Sequence, residues 1–224
     1  MILRVIMNSM ERKIRRGGIA TKHGYLFELS GGDLSLDFVN TVDSRPLPQP
    51  RELLNSYTDL LSWSNQVGLL NAKQEFLLRK KAKSRPAKSE KARKFALHVR
   101  ECLFRLFFHL TENQVVPPDL MNEWNRLVRK SMTHYQMVPG ENGLRWNQLA
   151  QEYNFESILW PIIHAAVELL TGDRANRIRR CASAKCDWMF LDTSKRGNRR
   201  WCDMTVCGNR AKASRFYFKK KKRR

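Results

Sequence analysis

Residues 181–186 read CASAKC and residues 202–207 read CDMTVC, so four of the five cysteines lie in two short pairs. Four residues separate the cysteines within each pair, and fifteen residues join the pairs. Each short loop can supply two sulfurs, and the spacer can return the chain so that the two loops meet. Tetrahedral coordination of Zn²⁺ by four sulfurs, with Zn–S distances of ~2.3 Å, requires such an arrangement. The spacing therefore predicts a structural Zn²⁺ site whose ligands are Cys181, Cys186, Cys202 and Cys207.

The residues between and after the cysteine pairs predict a small finger around that ion. Residues 187–192 (DWMFLD) are typical of a strand, residues 193–198 (TSKRGN) of a turn and residues 199–202 (RRWC) of a return strand. Residues 208–220 can form a helix that starts at the last ligand, with Gly208 allowing backbone and sulfur to approach closely. Three aromatic residues are available for a small core: Trp188, Phe190 and Trp201. The pattern as a whole predicts a treble-clef-like zinc finger.

Three other uses of the four cysteines stay open at this point. Two disulfides would require an oxidising compartment, but the opening MILRVIM is broken by Arg4 and leads into a basic run, which is not typical of a signal peptide. A redox-active pair usually has a two-residue spacing. An iron–sulfur cluster also takes four thiolates and is the stronger competitor. Cys102 lies on the apolar face of a predicted helix and is expected in the core.

The positive charge is concentrated near the C-terminus. The 224 residues carry a formal net charge of +21, from 42 Lys and Arg against 21 Asp and Glu. Residues 174–224 hold 18 basic and three acidic residues, a net +15, while residues 1–22 hold six basic residues and one acidic residue, a net +5. The remainder, residues 23–173, is close to neutral at +1. We therefore expect a polyanionic partner at the C-terminal quarter.

The neutral part is predicted to be mainly helical with a small β-hairpin, an α+β domain. Residues 25–29 (YLFEL) are typical of a short strand. In residues 31–41 (GGDLSLDFVNT) a glycine pair marks a turn, and Leu34, Leu36 and Phe38 then alternate with polar residues as in a strand. Helices are predicted over 51–67, 72–83, 87–112, 118–130 and 154–170, and a hairpin over 133–138 and 144–149. Thr171-Gly172-Asp173 should close the last helix and the domain.

Three regions follow from these patterns. Residues 1–22 form a basic extension expected to be disordered, residues 23–173 the mainly helical domain, and residues 174–224 the zinc finger with a basic tail. The tail, KKKKRR over residues 219–224, is a run of like charges and is expected to be solvated in the absence of a partner.

The motifs in the finger resemble those of the CGNR zinc-finger family, whose name matches Cys207-Gly208-Asn209-Arg210. The segment GGDLSLDFVNT resembles the start of the ABATE domain that precedes the finger in such proteins. This resemblance implies a stress-induced bacterial transcription regulator that binds DNA through the finger. Ser35 stands where the family often carries cysteine, so any chemistry of that cysteine is absent here.

The finger offers seven candidate nucleic-acid contacts. Some precede the third ligand or lie at the hairpin tip, and others lie on the following helix, which can enter a major groove. They are Lys195, Arg196, Arg199, Arg200, Arg210, Lys212 and Arg215, with the tail as a nonspecific phosphate clamp. Alternatively, some arginines support the finger, with Arg210 pairing with Asp192 or Asp203. Three neighbouring aromatic residues can stack on RNA or single strands, or pack against the first domain: Phe216, Tyr217 and Phe218.

The beginning of the helical domain is a candidate effector pocket. Asp37, Asn40 and Thr41 lie beside the glycine pair and can line such a pocket. The alternative is that Asp37 and Asn40 cap turns or helix ends, since short polar side chains hydrogen-bond to nearby backbone.

Several function classes lack support in the sequence. The histidines show no H-E-x-x-H spacing, and a P-loop, a nucleophile elbow and a dinucleotide fingerprint are all absent, so we do not expect an enzyme. Apolar runs long enough for a transmembrane helix are also absent, and we expect a cytoplasmic protein. The leading hypothesis is a DNA-binding regulator whose first domain senses a small effector or forms a homodimer. The alternatives are RNA binding and a protein-interaction adaptor with an acidic partner.

Overall fold

The computed structural model describes residues 17–21, 24–141, 143–149 and 154–221. About 52% of the described residues are helical, and the described strands form four antiparallel two-stranded sheets. The predicted combination of a mainly helical domain, small hairpins and a C-terminal cysteine cluster is confirmed. None of the helices in the described part of the chain combines the length and apolar character needed to cross a membrane.

The first hairpin pairs β1 (Gly18–Thr21) with β2 (Gly24–Phe27). The strand predicted at residues 25–29 is therefore present, although it begins and ends earlier. Strand β1 lies in the stretch that we expected to be disordered, and its pairing corrects that expectation for residues 18–21. Residues 1–16 and residue 22 of the predicted extension lie outside the described part.

The GGDLSLDFVNT segment forms a helix, α1 (Leu34–Val39), where alternation predicted a strand. The Asp33 side chain accepts a hydrogen bond from the Ser35 amide at 3.1 Å and caps the helix. The alternation prediction was wrong because it counted only Leu34, Leu36 and Phe38, whereas the buried positions follow a helical spacing. Those buried residues are Ser35, Leu36, Phe38 and Val39.

Strands β3 (Val42–Asp43) and β4 (Arg51–Glu52) pair with each other, so the next helix begins later in the sequence than predicted. Helix α2 (Tyr57–Gln66) was predicted to begin at Arg51 but begins after Ser56. Ser56 and Asp59 form a reciprocal capping box that fixes this start, since each side chain satisfies the other residue's amide.

The central helices agree with their predictions. Helix α3 covers Ala72–Ser84, α4 covers Pro86–Thr111 and α5 covers Pro118–Met132. Prolines near the start of α4 and α5 occupy first-turn positions, where the missing N–H breaks no hydrogen bond.

The second hairpin, β5 (Tyr135–Gly140) with β6 (Gly143–Gln148), is as predicted. Helix α6 (Leu159–Thr171) begins later than the predicted Asn154, because the backbone before it forms turns closed by Asn154. The amide of Gly172 donates to the Glu168 carbonyl and ends the helix, as expected.

The C-terminal part begins with β7 (Ile178–Arg180) and β8 (Met189–Leu191), which pair, and ends with α7 (Asn209–Lys221). Ile178, Met189 and Leu191 belong to the same apolar core as helices α1 to α6. Strands β7 and β8 are therefore packed against the helical domain, and these three side chains extend its core.

Candidate metal centre and basic surface

The four predicted ligands lie together. Their sulfur atoms all lie within 4.8 Å of one another, and all four residues are buried. The Sγ atoms of Cys186 and Cys202 are 3.6 Å apart, and those of Cys202 and Cys207 are 3.7 Å apart. A tetrahedral shell with Zn–S bonds of ~2.3 Å places its sulfurs about 3.8 Å apart, so the cluster fits one metal ion.

The same distances argue against two of the alternatives for these cysteines, disulfides and an iron–sulfur cluster. A disulfide joins its sulfurs at about 2.05 Å, and none of the five cysteines is in a disulfide. An iron–sulfur cluster of several atoms would hold the thiolates farther apart than a single ion does. Cys102 is buried in the helical core, as predicted, and burial raises its pKa to about 11.

The protonation of the cluster also favours a cation. Without an ion, the hydrogen bond from Cys186 lowers the pKa of the Cys181 thiol. The hydrogen bond with Cys181 in turn raises the pKa of Cys186 and Cys202, and burial raises both further. Four neighbouring thiols therefore cannot all ionise unless a positive ion neutralises them.

Each pair of ligands is held by a local turn. The Cys186 amide donates to the Ser183 carbonyl at 2.9 Å. The Asp203 carboxylate accepts hydrogen bonds from the amides of Thr205 and Val206 and caps the turn Met204–Gly208, which carries Cys207 into α7. A side chain at Gly208 would meet Met204 at 2.9 Å, so the close neighbour is a methionine rather than the predicted cysteine sulfur.

The hairpin of the finger differs from the predicted one. Strand β8 pairs with β7, and residues 199–202 form no return strand. The reason is Asp192, whose carboxylate accepts hydrogen bonds from the Ser194 amide and hydroxyl and from the Arg199 amide. These bonds fold residues 193–198 into a compact loop, which directs the chain toward the cysteine cluster instead of along β8.

The aromatic core of the finger is as expected, with Trp188 and Phe190 buried against the cysteines and Trp201 partly buried. Arg199 completes it. Its guanidinium lies 4.6 Å from the centre of the Phe190 ring and donates to the carbonyls of Trp201 and Cys202. Arg199 is one of the seven predicted nucleic-acid contacts, and in the structure its guanidinium makes these contacts within the finger.

The other six predicted contacts are exposed. Lys195 and Arg196 lie in the loop closed by Asp192, Arg200 lies next to Trp201, and Arg210, Lys212 and Arg215 lie on α7. Asp192 and Asp203 are the alternative partners predicted for Arg210, but their carboxylates accept the hydrogen bonds described above. Phe216 and Tyr217 are exposed, whereas the side chains of residues 218–221 and all of residues 222–224 lie outside the description.

The structure adds Lys185 to the basic surface. Lys185 is exposed and lines a groove of about 420 Å³ together with Arg200, Arg210 and Arg215. Its place inside CASAKC, directly before a ligand, was the sequence signal that could have identified it.

The three predicted effector residues take part in internal hydrogen bonds. The Asp37 carboxylate accepts from the Gly31 amide at 2.7 Å, and the Thr41 hydroxyl donates to the Phe38 carbonyl at 2.7 Å. Asn40 binds both backbone groups of Met189: its Nδ2 donates to the carbonyl at 2.8 Å, and its Oδ1 accepts from the amide at 2.9 Å. The Asp37 contact agrees with the alternative of turn capping. The Asn40 side chain instead makes a long-range contact that neither interpretation included, and the effector pocket stays a prediction.

Asn40 is part of a larger contact between α1 and the finger that the sequence did not indicate. The Trp188 indole donates to the Val42 carbonyl at 2.9 Å, and the Leu191 amide donates to the Gly31 carbonyl at 2.8 Å. A side chain at Gly31 would come within 2.9 Å of Leu36 and Asp37, so the close turn requires glycine. The segment that marks the start of the helical domain is thus the surface that holds strand β8.

The comparisons with known proteins agree with these two parts. Residues 32–173 match the ABATE family, described as "Putative stress-induced transcription regulator", and residues 177–220 match the CGNR zinc finger. No curated protein matches the chain. Because the first match spans more than half of the 224 residues, the chain belongs to the ABATE family and carries a CGNR zinc finger after that domain.

Proposed function

We propose that this protein is a cytoplasmic bacterial transcription regulator that holds Zn²⁺ in its four-cysteine finger and binds duplex DNA. The observation that carries the proposal is the exposed basic surface on a finger whose four buried cysteines lie together. Residues 174–224 have a net charge of +15, or +13 after four thiolates and one Zn²⁺ are counted. Such a surface releases counterions when it binds phosphates, which gives strong and salt-dependent affinity.

The four thiolates fit zinc because soft sulfur ligands in tetrahedral geometry suit it. When bound, zinc would cross-link the two cysteine loops and neutralise their charge. The side chains of the finger do the recognition in this proposal, and no catalytic step is assigned to the chain. Arg210 and Lys212 are exposed near the start of α7, where a helix can meet the DNA backbone or a groove.

We assign effector sensing or dimerisation to the helical domain. The support is architectural: its α1 segment contacts β8 directly through Asn40 and Met189. A shift in the position of α1 would therefore displace β8 in the finger, because Asn40 is hydrogen-bonded directly to Met189.

The test is fluorescence anisotropy of a labelled 30-base-pair duplex at several salt concentrations. Arg210→Ala with Lys212→Ala should weaken binding and reduce the log–log salt slope by up to ~2. Lys73→Ala with Lys83→Ala removes the same charge from exposed positions of α3 and should leave the slope nearly unchanged.

Parallel titrations with single-stranded DNA and RNA distinguish the alternatives. Preference for either at matched salt would favour single-strand binding, for which the exposed Phe216 and Tyr217 offer stacking surfaces. Absence of binding to every nucleic acid would contradict the proposal and favour the adaptor hypothesis.

A further inference from the structure

A groove of about 420 Å³ lies on the finger between the first cysteine loop, residues 200 and 201, and the beginning of α7. Its polar walls carry four cationic side chains, and its remaining lining is alanine, serine and one tryptophan. The cations are Lys185, Arg200, Arg210 and Arg215. The volume is within the range of about 300–1,000 Å³ that is usual for small-ligand sites.

The charge of the groove is of one sign. None of the residues that line it is acidic, and the four cations are exposed. Cations that converge on one concave surface concentrate the positive potential there and attract anions. Arginine adds several N–H donors in a planar arrangement that matches phosphate oxygens.

Contacts within the finger pre-position Arg200 for such a ligand. Its guanidinium lies 5.4 Å from the centre of the Trp201 ring, and that ring packs against the buried cysteine cluster. The backbone carbonyl of Arg200 accepts a hydrogen bond from the Ala182 amide at 2.9 Å, and this bond joins two walls of the groove. The arginine therefore loses less side-chain freedom on binding than an unsupported one would. In this arrangement Trp201 is a positioning residue.

The cysteine cluster holds the walls of the groove together. Lys185 lies between the first two ligands, Trp201 directly precedes Cys202, and α7 follows Cys207. All three walls are thus tied to the cysteine cluster. Lys195 and Arg196, at the other loop of the finger, are not among the lining residues.

We propose that this groove is the phosphate-binding site of the finger and takes a backbone phosphate of duplex DNA with its flanking sugars. The proposal rests on the proposed function and sharpens it. It places the direct backbone contact at Lys185, Arg200, Arg210 and Arg215, and leaves Lys195 and Arg196 with a long-range electrostatic role only.

Two double variants with equal loss of charge test the proposal. Lys185→Ala with Arg215→Ala removes two groove cations, and Lys195→Ala with Arg196→Ala removes two cations from the other loop. Both use exposed positions, and the zinc content of each protein verifies the fold. With a 30-base-pair duplex, the groove variant should lose at least tenfold in affinity and about 2 in log–log salt slope. The control variant should lose less than threefold.

The outcomes separate this site from the proposed function. If wild-type protein binds the duplex and both variants lose affinity equally, or the control loses more, the groove is not the phosphate site. If the wild-type protein binds no DNA, the proposed function fails together with this one.

Discussion

At the scale of single residues, we expect Asp37 to make the folding stability of the protein depend on pH. Burial raises the pKa of this carboxyl from 3.8 to about 7, while the Gly31 amide opposes the rise and the charge of Asp33 adds to it. Between pH 4 and 7 the folded protein therefore retains a proton that the unfolded chain has lost. The stability that this proton gives is fully present below about pH 4. It is lost progressively as the pH rises to about 7, which lowers the free energy of unfolding by up to about 4 kcal/mol in total.

Asp37→Asn should remove this cost, because the amide oxygen still accepts from Gly31 but carries no charge. We expect the variant to be more stable than wild type at pH 8, by up to about 4 kcal/mol, with a smaller difference at pH 5. Urea denaturation at both pH values measures it, and Asp173→Asn at an exposed position is the control. Identical stability differences at pH 5 and pH 8 would show that Asp37 is not the titrating group.

At the scale of elements, strand β8 depends on α1. Asn40 supplies a donor and an acceptor to Met189 in a buried position, 149 residues away in sequence. Asn40→Ala should leave the Met189 amide and carbonyl unsatisfied and cost about 2–4 kcal/mol of unfolding free energy. We also expect faster metal release to a chelator, because β8 connects the α1 contact to the cysteine loops. Chemical denaturation and a colorimetric metal-release assay measure the two effects.

The control for this variant is Asn55→Ala, which removes an exposed asparagine with a single local hydrogen bond to Glu52. It should change stability by less than about 0.5 kcal/mol and leave the release rate unchanged. Equal release rates in the Asn40 and Asn55 variants would mean that α1 does not brace the metal centre.

At the scale of the whole molecule, the metal centre and the helical domain should unfold together, because Ile178, Met189 and Leu191 belong to the helical core. Reduced protein should contain one zinc per chain. A chelator should lower the melting temperature of the helical circular dichroism signal by more than about 10 °C, given about 2–4 °C per kcal/mol for a chain of this size and the ~10 kcal/mol typical of structural zinc.

Two cysteine variants complete that experiment. Cys186→Ala removes a predicted ligand and should abolish zinc binding, whereas Cys102→Ala removes a buried cysteine of the helical core and should retain it. An unchanged helical melting curve after the chelator has removed the zinc would show that the two parts unfold independently.

The sequence alone determined the features that depend on neighbouring residues. The cysteine spacing identified all four members of the cluster. Each short loop keeps its own two sulfurs close together, and the fifteen-residue spacer can return the chain to bring the two loops together. Apolar periodicity and prolines identified helices α3, α4 and α5, since helix formation depends on contacts three and four residues apart. Positions where two local patterns compete were less certain: α1 has both an alternating and a helical arrangement of apolar residues.

The tertiary structure alone decided which polar groups are left for function. Arg199 and Arg200 are adjacent and chemically identical, yet the first is used within the finger, over Phe190, and the second faces the groove beside Trp201. Asn40 became a brace because β8 passes it, and local sequence cannot indicate a partner 149 residues away. The physical reason is that side-chain chemistry is fixed by residue type, whereas its use depends on which unsatisfied group the folded chain brings within about 3 Å.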